Sequence, residues 1–139
     1  MTALSPLSWR TVALLAGISY GFVGIVFGLP SSNVRFWRLA AWVVSAIIYG
    51  SHILYERYRL GNRPLTTALH CAVAVALGGF LLAVAAIVHA AMVPVHAPYW
   101  RFAIALVAWP TITAVPAFLV ALVLSFLVGR HPNSLHQTL

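Results

Sequence analysis

The chain has one acidic residue, Glu56, and it comes four positions after His52. On a helix that spacing sets the two side chains one turn apart on the same face. His70 lies nine residues beyond a turn centred near Gly61, and His52 lies nine before it. In an antiparallel hairpin the two imidazoles therefore reach similar depth. An imidazole beside a carboxylate passes protons near neutral pH. Two imidazoles and a carboxylate are also a donor set for a divalent metal, and two facing imidazoles can hold one haem. A plainer arrangement pairs Glu56 with Arg59 or Arg63 and leaves both histidines at the membrane interface.

The same stretch carries a longer pattern. Arg38, Trp42, Ser45, Tyr49, His52, Glu56 and Arg59 follow one another at alternating steps of four and three, so one helical face is polar or aromatic along its length. Polar side chains are costly in lipid, which turns such a face towards the bundle interior or a partner. Hydrogen bonding between helices, with anchors at both ends, is one use of it. A polar lane through Ser45, Tyr49, His52, Glu56 and Arg59 is the other. A second group, His89, Met92 and His96, has helical spacing and the imidazole–thioether chemistry of a copper site, although Pro94 interrupts it. His131 and His136 sit in a polar tail.

These residues need a scaffold, and composition supplies its class. Of 139 residues 63% are hydrophobic and 6% charged, against about 25% charged in soluble domains. Four apolar runs reach the roughly 20 residues that span a bilayer: 9–29, 36–60, 67–93 and 102–128. Lipid offers backbone groups no partners, so the runs must be helices, and short links make neighbours antiparallel. The expectation is an all-α, single-domain, four-transmembrane-helix bundle over 1–139, with up-down topology, short loops and a short polar tail at 129–139.

Composition also excludes functions. There is no lysine, hence no Schiff base and no phosphate-loop lysine. The net charge of +7 comes from arginines near the ends of the apolar runs and between them, which suits anionic headgroups rather than nucleic acid. Cys71 is alone, so no internal disulfide forms. Arg10, Arg57, Arg59, Arg63 and Arg130 fall on one side, against Arg35, Arg38 and Arg101 on the other. That excess puts both termini in the cytoplasm of a bacterial membrane. Trp9-Arg10, Trp37-Arg38 and Trp100-Arg101 read as interfacial anchors.

Small residues mark contact faces. Gly17, Gly21, Gly24 and Gly28 form a stripe on the first run, and Ala72, Ala76, Gly79 and Ala83 form one on the third. Such stripes let backbones approach closely, inside the chain or between subunits of a homo-oligomer or larger membrane complex. Pro110 and Pro116 mark a kink or break in the fourth run, freeing carbonyls at Leu106 and Ile112 that Thr111 and Thr113 can partly satisfy. The leading functional expectation is a non-enzymatic membrane subunit packing through the stripes. The others are a small transporter or channel using the lane, and a haem- or metal-binding redox protein using His52 and His70.

Overall fold

The computed structural model describes residues 6–30, 32–92 and 99–128. His96, Arg130, His131, His136 and the tail lie outside the described residues. Four helices follow in order: α1 (Trp9–Gly28), α2 (Val34–Tyr58), α3 (Pro64–Met92) and α4 (Tyr99–Val128). Among the described residues there is no strand, and all four helices are long and apolar enough to cross a membrane. The chain thus fits an integral membrane protein. Its outer surface agrees, with Phe22, Trp42, Val107 and Ile112 all exposed.

The helix ends differ from the apolar runs for local reasons. Ser8 caps α1, its hydroxyl accepting the Thr11 N–H at 3.3 Å. Asn33 adopts left-handed backbone, φ 50°, and turns the chain into α2 two residues before Phe36. At the far end Gly61, φ +65°, supplies the left-handed residue that closes a helix. The Asn62 N–H then donates back to the Glu56 carbonyl at 3.1 Å. α3 begins at Pro64 rather than Thr67. Proline suits the first position of a helix, where its missing N–H has no partner to lose.

The topology is up-down. Gly17 meets Ala74 and Leu77 while Gly24 meets Leu82, so α1 and α3 run parallel. Ala121 packs with Ile53, Ala68 and Cys71 in one core cluster. The α1 start meets the α2 end, where the Leu7 N–H donates to the Tyr55 hydroxyl at 2.8 Å. α3 is the hub: it packs extensively on α4 and α1, while among the described residues no Cα of α1 comes within 8 Å of one in α4. One end of the bundle therefore gathers the start of α1, the α2–α3 turn and the end of α4.

The glycine stripe of α1 is consumed inside the chain. A Cβ at Gly17 would lie 2.7 Å from Leu77 Cδ2, and one at Gly24 2.5 Å from Leu82 Cδ2; Gly21 faces Leu81. Only Gly28 has open space beside it among these four. On α3, Gly79 of the small-residue stripe and its neighbour Gly78, outside the stripe, face different helices. Gly78 faces Tyr20 of α1, and Gly79 faces Thr113 and Pro110 of α4. Ala83 is buried, while Ala72 and Ala76 are half-buried. The faces offered as subunit contacts are thus largely the internal seams of the bundle.

The prolines do not break α4, which runs without interruption through Pro110 and Pro116. The threonine hydroxyls bond other carbonyls than those the prolines free. Thr111 donates to Val107 at 2.7 Å and Thr113 to Trp109 at 2.8 Å.

The seam predicts opposite outcomes for two glycines. Gly17→Val forces atoms into Leu77 and the Ala74 carbonyl and should lose about 1–3 kcal/mol. Gly28→Ala meets nothing and should be neutral or gain up to about 1 kcal/mol. Unfolding titrations of both variants in the same micelle check this pair.

Candidate functional site

The carboxylate of Glu56 is fully buried, near the end of α2. α2 can carry an acid there because its last turns face inward and because the turn beyond it folds back. Gly61 reverses the chain, and the Asn62 side-chain amide donates to Glu56 Oε2. Arg57 braces the turn by donating from Nη1 to the Asn62 carbonyl at 2.5 Å. From α3, His70 Nδ1 sits 3.0 Å from the same Oε2. A carboxylate only accepts, so this contact places the imidazole proton on Nδ1. The other oxygen, Oε1, faces His52 Nε2 at 3.6 Å, too long for a hydrogen bond.

The start of α1 roofs the cluster. The Trp9 indole stacks on the His70 ring with centroids 4.1 Å apart and planes within 6°. Arg10 in turn lies over the Trp9 ring at 5.7 Å. His70 keeps 15% of its side-chain surface accessible, against 1% for His52. His70 is therefore the more accessible of the two imidazoles beside Glu56, and His52 the buried one.

The polar face of α2 is buried only along part of its length. Ser45 and Tyr49 are half-buried and His52 and Glu56 buried, but Arg38 and Arg59 are exposed and Trp42 is 77% exposed. Inward of His52, the Tyr49 hydroxyl donates to the Ala117 carbonyl, and the ring packs on the cluster holding the buried thiol Cys71. The Tyr20 hydroxyl is buried nearer the bundle centre, with no partner in the protein. The polar groups thus reach from one end towards the middle.

Several expected pairings are not made. Glu56 does not pair with Arg59 or Arg63, both exposed, and among the described residues no arginine lies within ion-pair distance of it. The side chains of Arg59 and Arg63 point outward, whereas the carboxylate is fixed inside by its amide and imidazole. Among the described residues no group of three or more His, Cys, Asp or Glu is arranged to hold a metal ion. The reason at Glu56 is geometric: the two imidazoles address opposite oxygens. They also converge on one carboxylate rather than face each other across a gap, which gives a porphyrin no place between them. His89 and Met92 are exposed at the other end of α3, and His96 lies outside the described residues.

Sequence reasoning missed Asn62, the stacking role of Trp9, and the buried hydroxyls of Thr67 and Ser125. Asn62 had a signal, since it follows the glycine that ends α2. Thr67 and Ser125 are single hydroxyls in apolar runs, and nothing in their spacing announces burial. No family model, curated protein or solved structure matches the chain.

The bond from Asn62 predicts a measurable dependence. Asn62→Ala leaves a buried carboxylate oxygen short of a donor and should cost about 1.5–3 kcal/mol. The exposed Arg59→Ala should change stability by less than about 0.5 kcal/mol. Equal midpoints for the two variants in reversible unfolding would contradict this geometry.

Proposed function

We propose that the chain is a small ion-handling membrane protein of the transporter or channel class, with Glu56 as its working group. The observation that supports this is the burial of the chain's only acidic side chain between two imidazoles, with no arginine among the described residues within ion-pair distance. An ionisable residue inside a membrane bundle is costly to keep, and such residues mark ion and proton paths. His70, partly accessible beneath Trp9, exchanges protons with the end of the bundle that carries the N-terminus. Its Nδ1–H contact relays charge to Glu56, and His52 and Tyr49 continue the polar face inward. On the arginine excess, that end is the cytoplasmic one in a bacterial inner membrane.

The subunit reading moves to a different surface, since the α1 stripe faces α3. Among the described residues of α4 only Ala121 and Ser125 are buried, and Val107, Ile112, Val115, Leu119 and Val123 present a broad apolar face. That face suits a second copy or another membrane chain as well as lipid. Mass spectrometry of the protein released from native-lipid nanodiscs should show dimers or larger assemblies. Monomers at every concentration would remove this second reading.

The transport reading is tested in vesicles. Protein reconstituted with a pH dye inside, and a potential set by potassium and valinomycin, should acidify the lumen faster than protein-free vesicles. Glu56→Gln should return the rate to the protein-free value, and His70→Ala should lower it strongly. Wild-type vesicles that behave like empty ones would refute proton handling.

A further inference from the structure

Four buried residues near the roofed end hold polar atoms with no partner among the described residues: Glu56 Oε1, the ring nitrogens of His52, Thr67 Oγ1 and Ser125 Oγ. None of the four residues is more than 3% exposed. They come from three helices but share a level. Ile53, Cys71 and Ala121 pack together in one cluster. Glu56, Thr67 and Ser125 each lie about one turn further towards the roofed end on their own helix. Glu56, Thr67 and Ser125 thus form the next layer, with His52 at its edge.

Bare polar atoms at this depth are costly, and a layer of them calls for a shared occupant. Charge narrows its kind. Glu56 as a carboxylate brings one negative charge, and Asn62 brings none. A single positive charge balances the layer, and a divalent ion would leave an excess inside an apolar bundle. Chemistry narrows it further. A proton would satisfy Oε1 alone and leave both hydroxyls bare, whereas a hard cation uses carboxylate and hydroxyl oxygens together.

We infer that this layer is a binding site for one dehydrated monovalent cation of sodium size. Glu56 Oε1, Thr67 Oγ1 and Ser125 Oγ hold it, and His52 Nε2 flanks it. The inference rests on Glu56 being the working centre and names the ion that the centre takes. His70 and Asn62, both on the opposite carboxylate oxygen, orient Glu56 rather than touch the ion.

The test is thermal unfolding of the full chain in detergent at one fixed pH, read by tryptophan fluorescence. Sodium, potassium and choline chlorides are compared at equal ionic strength. Sodium should raise the midpoint by several degrees over the other two, with saturation, because it binds the folded state alone. Ser125→Ala and Thr67→Val should each abolish the sodium shift. Their midpoints in choline should stay equal or rise, since each removes an unpartnered buried hydroxyl. Equal midpoints for the wild type in all three salts would overturn the site, as would a sodium shift that survives both substitutions. Stability that follows pH but ignores sodium also overturns it and makes the occupant a proton, which leaves the vesicle reading intact. A sodium shift in a protein that gives no acidification in vesicles supports the site and overturns proton handling instead.

Discussion

Hydrocarbon cannot hydrogen-bond, so every polar atom within the bundle must find its partner there or leave the bundle. Most of this chain obeys by leaving: the described arginines sit at helix ends or in the turns, at the interfacial levels. Glu56 does neither simply. It is drawn inside, and the local structure around it is arranged to make that tolerable. The left-handed Gly61, the returning amide of Asn62, the Nδ1–H of His70 and the Trp9 ring over His70 all serve one carboxylate.

That arrangement depends on the packing of the helices. α3 must come close to α1 for Trp9 to reach His70, and the glycines at positions 17, 21 and 24 allow the approach by removing side chains from the seam. α3 must equally approach α4 to bring Thr67 and Ser125 to one level, and Gly79 opposite Pro110 and Thr113 permits it. The small residues are therefore upstream of the site. They set the distances at which polar groups from different helices meet.

How much of this was legible in the sequence follows from which constraints are local. Span number and class come from runs of apolar residues near the bilayer thickness, and the structure shows four such helices and the bundle they imply. The burial of Tyr49, His52 and Glu56 on one face is encoded by steps of three and four. The convergence of His70 on Glu56 is not encoded that way, because it depends on rotation of α3 about its axis. Rotation was settled by Gly78 and Gly79, adjacent residues that face different helices. The glycine stripe of α1 was visible, but its partner was not, since close approach has the same signature within a chain and between chains. Pro110 and Pro116 suggested a kink or a break, and α4 continues as helix through both. Interfacial arginines were misleading near Glu56, where opposite charge in sequence did not become an ion pair.

Because the chain holds one glutamate and no aspartate, a carboxyl carbon label introduced through glutamate gives a single side-chain resonance. Solid-state NMR of that label in lipid bilayers, with nitrogen-labelled histidine, reads the neighbourhood of Glu56 directly. The account predicts through-space correlations from the Glu56 carboxyl to the rings of both His52 and His70. A carboxyl that correlates with water or lipid headgroups and with neither imidazole would contradict it.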